Sequence, residues 1–133
     1  MIIKTIPDKE KVNSIINLIK IRKEFVLSSD PEKFTTVVVE NYYEIIKELA
    51  TAILLLDGLK AIGEFAHKEL IEELAKYKEF EESEIKIMDD LRIKRNKSSY
   101  EGKPIEKSYL ENKKEYLSKI IDKLENLLNK KLK

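Results

Sequence analysis

The chain is predicted to be all-α, an antiparallel bundle of four main helices plus one short helix, in a single domain spanning 1–133. Three observations predict this. Apolar residues recur at spacings of three and four along the chain, and no segment alternates as a strand would, so no sheet is expected. All three glycines and all three prolines fall between the periodic segments, where chain breakers belong. One stretch, from Phe34 through Val38, Tyr42, Ile45, Ile46, Leu49 and Ile53 to Leu56, carries an apolar stripe of nearly ideal helical period.

Pro7-Asp8 opens the first helix, which turns Val12, Ile15, Ile16, Ile19, Phe25 and Val26 inward. Ser28-Ser29-Asp30-Pro31 ends it. Ser29 and Glu32 have capping-box spacing and Pro31 suits a first turn, so the second helix is expected to start there and run to about Leu56. Ala50, Ala52, Leu54 and Leu55 make its last turns apolar on all sides, which marks it as the core helix. Asp57-Gly58 and Gly63 punctuate a loop, and a short helix then carries Leu70, Ile71 and Leu74 to about Tyr77. The fourth helix holds Ile85, Met88 and Leu91 and stops before Gly102 and Pro104. The last begins near Ile105 and spaces Leu110, Leu117 and Leu124 as heptads. Lys113 interrupts that seam and Ile120, Ile121, Leu127 and Leu128 widen it, so bundle packing is expected over a coiled coil. Residues 129–133 read as a solvated tail.

The 26 basic and 25 acidic residues leave a net charge of +1, so any affinity for polyanions must come from a local patch. The absence of cysteine rules out disulfides and a thiolate nucleophile, and a single histidine, His67, rules out a multi-histidine metal centre within one chain. No residue pattern calls for a cofactor. The first residues turn charged too early for a leader peptide, and the longest apolar run, Ala52 to Leu56, is too short to span a bilayer. A soluble, cytoplasmic protein with no membrane partner is expected. The charge is mostly lysine and glutamate, with no Gln, Cys or Trp, a composition often met in heat-adapted proteins.

The stretch Met88–Pro104 carries the chemistry. Arginine occurs only at 22, 92 and 95, and lysine serves elsewhere as the generic cation. Two arginines in four residues therefore point to a use for the planar guanidinium fork, which suits phosphate or carboxylate. Lys94 and Lys97 add charge. Asn96, Ser98, Ser99 and Tyr100 surround these cations with an amide, hydroxyls and a ring, the mixture that holds phosphates and stacks bases without reading them. The plainer alternatives are that Arg92 and Arg95 pair with Asp89, Asp90 or Glu84, or that the cations offset the C-terminal end of their own helix dipole. Glu84, two turns before Arg92, is expected to orient Arg92 or Arg95. The adjacent acids at 72–73, 81–82 and 89–90 point apart on their helices and read as solvated faces.

The run Leu91-Arg92-x-x-Arg95-Asn96-x-x-x-Tyr100-x-Gly102 resembles the fourth-helix signature of the HEPN superfamily, especially its small archaeal and bacterial members. Residues 43–58 resemble that family's long second helix, Ala66-His67-Lys68-Glu69-Leu70 the start of its third, and Tyr109-Leu110-Glu111 the opening of its last, so the likeness covers nearly the whole chain. The resemblance implies a helical bundle that pairs into a homodimer, with the arginine-bearing helices lining a shared cleft. It also implies nucleotide or single-stranded RNA as ligand and, in many members, a minimal nucleotidyltransferase as partner in a toxin–antitoxin pair. Active members are metal-independent RNases built on an arginine, four to six residues and a histidine. Arg95 matches the arginine and Asn96 the polar residue after it, but Tyr100 stands where the histidine is expected.

That replacement matters physically. Metal-free RNA cleavage needs a proton acceptor for the 2′-hydroxyl, a proton donor for the leaving oxygen and cations for the phosphorane. An ordinary phenol, of pKa about 10, is ionised to only about one part in a thousand at pH 7, whereas imidazole is largely free base. Position 100 thus suits ligand contact better than proton transfer. His67, expected at the start of another helix, reads as a surface or packing residue. The leading expectation is a HEPN-like nucleotide- or RNA-binding protein with a degenerate RNase motif, using Arg92, Arg95, Asn96, Ser99 and Tyr100. The alternatives are an active RNase with Arg95 and Tyr100 as catalytic residues, and a helical interaction module whose arginines only make salt bridges.

Overall fold

In the computed structural model, which describes residues 1–133, helix α1 (Lys9–Ser28) opens where the sequence suggests. The Asp8 carboxylate accepts the Lys11 amide hydrogen at 3.0 Å and satisfies one donor of the first turn. Val12 and Ile19 are buried, Ile15, Ile16 and Val26 are partly buried, and Phe25 lies more outside than expected. Helix α2 (Thr35–Leu56) starts later than the Ser29–Glu32 spacing suggests. Ser29 instead turns back and donates to the Phe25 carbonyl at 2.7 Å, closing α1. Asp30 accepts the Glu32 amide hydrogen at 2.9 Å, and Thr35 donates to the Pro31 carbonyl, so residues 31–34 form a separate turn.

Between α2 and the next helix the expected loop is a strand in part, which corrects the reading of a chain without sheet. β1 (Ile2–Lys4) and β2 (Leu59–Ala61) form a two-stranded antiparallel ribbon, with Ile3 opposite Lys60. Three residues are too few to show a period of two, so the pattern was silent. Gly58 makes the approach feasible: its φ is +73°, and a Cβ there would come within 2.9 Å of the Thr5 carbonyl oxygen. The Thr5 amide donates to Gly58 at 2.8 Å across the same contact.

The short helix α3 (Ala66–Leu74) ends in turns before Tyr77. Helix α4 (Glu82–Glu101) begins with the Glu81 amide donating to the Glu84 carboxylate at 2.9 Å and ends on Gly102 in the left-handed conformation. Helix α5 (Lys107–Leu132) buries Leu110, Leu117 and Leu124 together with Ile120, Ile121, Leu127 and Leu128. It runs through the expected tail, where Lys131 pairs with Asp57 at 2.7 Å. No helix is long and apolar enough to cross a membrane.

The bundle is organised on α2, which packs against every other helix and against β2. Cross-links fix the directions. The later α1 residue Val26 lies beside Tyr42 and Ile45, and the earlier Ile16 and Ile19 beside Leu49, so α1 and α2 are antiparallel. Glu44 meets Arg95 and Glu40 meets Ser98, so α2 and α4 are antiparallel as well. The pair α2 and α5 runs parallel: Ile105 donates to Thr36 near one end and Lys131 meets Asp57 at the other. Long helices thus alternate in direction along the chain, and the two with the widest apolar faces end side by side.

Candidate functional site

Met88 and Leu91, both fully buried, decide how α4 is rotated. With those two inward, Arg92, Arg95 and Asn96 fall on its partly buried flanks, while Lys97, Ser99 and Tyr100 are exposed. The four cations between 92 and 97 then go separate ways. Arg92 donates from Nε to Asp89, three residues earlier on its own helix, at 2.8 Å. Lys94 lies over the Tyr109 ring, 5.4 Å from its centre. None of the four occupies the last turn of α4, so they do not offset its dipole.

Arg95 is the most heavily engaged. One terminal nitrogen donates to Glu44 of α2 at 3.0 Å. The other reaches Asn96 Oδ1 at 3.3 Å and the Tyr100 hydroxyl at 3.4 Å. Its guanidinium plane sits 5.4 Å from the Tyr43 ring centre and 5.8 Å from that of Tyr100. Glu44 also receives Lys47 at 2.6 Å. Burial works against ionising this carboxyl, but the Lys47 hydrogen bond and the charges of Lys47, Arg95 and Arg22 prevail and hold its pKa below the ordinary carboxylate value. Glu84, expected to orient these arginines, does not: it is engaged at its own helix start and by Lys123 of α5 at 2.8 Å. Ser98 and Ser99 both donate to Glu40, at 2.8 and 3.2 Å. One edge of α2, Glu40 and Glu44, therefore fastens the end of α4.

Between that end of α4 and the first turn of α3 lies a cleft of about 250 Å³. Arg92, Asn96 and Tyr100 line it from one side, and Phe65, His67 and Lys68 from the other. Of the five residues expected to hold phosphate, these three α4 residues share the cleft. Arg95 stands behind it, bound to two of them, and Ser99 is turned to Glu40. Tyr100 is 76% exposed and Phe65 63%, so two aromatic faces rim the opening. The α3 start adds donors: no side chain caps it, the Ala66 amide donates to the Gly63 carbonyl and the Glu69 amide to that of Phe65, and the amides of His67 and Lys68 between them are left unclaimed.

His67, which the sequence reads as a surface or packing residue, also lines this cleft. Its ring lies 6.5 Å from that of Tyr43, which Arg95 covers on its own account. Although much of the histidine is open to solvent, the desolvated part lowers its pKa, and Lys47, Arg95 and Arg92 lower it further against the opposing charge of Glu44. Free imidazole is the favoured form at neutral pH. Tyr43 itself is buried with an unpartnered hydroxyl, and burial pushes its pKa up to about 12. Nothing in the spacing of the sequence ties position 67 to positions 92–100. Their meeting is set by how α3 packs between α2 and α4.

Comparison of the chain with family models, with curated proteins and with solved structures finds no match.

Proposed function

We propose that this chain is a HEPN-like nucleotide- or RNA-binding protein that seats phosphate between the start of α3 and the end of α4. The supporting observation is the cleft in which a guanidinium, an amide, a lysine, an imidazole and two exposed aromatic rings converge. Arg92 and Asn96 take the phosphate, Tyr100 and Phe65 offer faces to a base, and Arg95 holds Asn96 and Tyr100 in place. Titration with ATP and with short single-stranded RNA at low and moderate salt tests this. Arg92→Ala and Arg95→Ala should each weaken binding clearly more than Lys97→Ala, because Lys97 is a solvated cation outside the cleft. Equal losses in all three, or no binding by the parent protein, would sink the reading. In the same proposal the protein acts as a homodimer and partners a minimal nucleotidyltransferase. Ile93, exposed on α4, and Leu18 and Ile21, exposed on α1, supply apolar surface for self-association. Sedimentation equilibrium that shows only a 15.6 kDa species at micromolar concentration would count against the dimer.

A second reading, an active metal-independent RNase, is favoured by one observation: His67 opens into the same cleft as Arg92. The missing imidazole of the arginine–histidine pattern is then supplied from α3, not from α4. His67 in its free-base form accepts the 2′-hydroxyl proton as the 2′ oxygen bonds to phosphorus and the bond to the 5′ oxygen breaks. Arg92 offsets the phosphorane charge, Lys68 in the same cleft gives the leaving 5′ oxygen its proton, and Tyr100 is left to stacking. Cleavage of single-stranded RNA in the presence of a chelator should fall about a hundredfold or more in His67→Ala and persist in Tyr100→Phe. Cleavage that survives His67→Ala but vanishes in Tyr100→Phe would return the proton transfer to Tyr100.

A further inference from the structure

A second cavity, of about 140 Å³, opens on the other side of the α3 start. Ala66 and His67 belong to the walls of both cavities, so the two are neighbours divided by the first turn of one helix. The rim of the second carries Lys11 from α1, Lys47 from α2 and Lys60 from β2, above a floor of Leu54, Leu55 and Leu59.

We infer that this lysine-rimmed cavity is a second phosphate subsite, and that the ligand is a single-stranded polynucleotide running past His67, not a mononucleotide. The inference rests on the phosphate reading of the first cleft and extends it. Charge segregation is the first argument. In a chain with nearly equal numbers of acids and bases, the walls of the two cavities bring together Lys11, Lys47, Lys60, Lys68 and Arg92 against one carboxylate, Glu64. The second argument is availability. Lys47 is tied to Glu44, but Lys11 and Lys60 are exposed and make no ion pair within the chain. Their ammonium groups have no internal use.

The third argument is placement. Lys11 is held by the Asp8 cap of α1, and Lys60 by its register opposite Ile3 in the ribbon. Three separate elements thus deliver lysines to one rim, and the small sheet acquires a task. The apolar floor suits a ribose or base face, while cations at the rim meet the backbone phosphates. Two subsites joined at one helix start match a chain of phosphates better than a single one.

The experiment compares AMP with an eight-nucleotide single-stranded RNA on the parent protein, the double variant Lys11→Ala/Lys60→Ala, and Arg92→Ala. Removing two phosphate contacts should weaken RNA binding about tenfold and flatten the log Kd against log salt slope by about 1.4, with AMP affinity unchanged. Arg92→Ala should weaken both ligands. If the double variant binds RNA as the parent does while Arg92→Ala still impairs AMP, the second subsite is wrong and the first cleft stands. If the parent binds neither ligand, the phosphate reading itself fails and takes the second subsite with it. A polyglutamate peptide that competes as well as RNA, with the same lysine dependence, overturns the assignment to nucleic acid. Both lysines are exposed, so an unchanged thermal midpoint in the double variant shows that folding is intact.

Discussion

The seam between α2 and α5 and the cleft between α3 and α4 are built on opposite rules. In the seam, Leu49, Ile53, Leu117 and Leu124 are almost wholly buried and each needs only shape and apolarity from its neighbours. Along the cleft the polar groups depend on directional partners instead: Arg92 is held by Asp89, and Arg95 by Glu44, Asn96 and Tyr100. The seam is fixed by the close fit of apolar shapes, whereas the cleft is fixed by a few exposed or half-buried polar contacts. Stability is concentrated in the first region and polar chemistry in the second.

The largest effect should come from breaking the seam. Ile53 is fully buried in the last turn of α2, and Ile53→Ala should cost about 2–5 kcal/mol. Urea denaturation with an unchanged m-value is the check. A loss under 1 kcal/mol would mean that the seam is looser than the burial suggests.

The middle prediction addresses the hinge between the two regions. Glu44→Gln leaves Arg95 and Lys47 without their shared carboxylate, all three being mostly buried. The cost should be about 1–2 kcal/mol of stability. ATP should bind about fivefold more tightly, as a guanidinium released toward the cleft gains roughly 1 kcal/mol. Weaker ATP binding in this variant would show that Glu44 serves the site by holding Arg95 still.

The smallest effect is a pH dependence confined to the cleft. The His67 pKa is lower in the folded chain than in the unfolded one, so the unfolded state takes up more protons as pH falls. The associated stability is complete above about pH 6.5 and is lost as pH drops through the folded value. His67→Gln should remove that part of the decline, seen as a smaller fall in thermal midpoint between pH 7.5 and 5.5. Identical falls in parent and variant would mean that the cations around His67 do not act on it.

The two regions also differed in how legible they were. The stripe from Val38 to Ile53 and the leucines of α5 repeat with a period that any reader of the sequence can detect, and they are the core. Asp8 and Gly102 announced their caps because a single residue suffices to do so. The start of α2 was misplaced because Ser29 has two bonding options: it donates back to the Phe25 carbonyl, and Asp30 accepts the Glu32 amide hydrogen in its place. The ribbon was invisible because its strands are three residues long and their partners lie far apart in sequence. At the site, Arg92, Asn96 and Tyr100 stood out through residue choice alone. The partners of Arg95 and the arrival of His67 depend on the packing of α2, α3 and α4, which no local pattern encodes.

The parallel alignment of α2 and α5 has a consequence for synthesis. Residues 57–106 intervene between the two helices, so the apolar face of α2 leaves the ribosome long before the face that covers it. Its temporary covers are α1 on one flank and then α3 and α4 on the other, each with a narrower apolar surface. During that interval the apolar run Ile53 to Leu56 is covered less completely than in the finished chain. A ribosome-bound nascent chain halted before α5 should accordingly recruit chaperones, and the same chain released complete should not.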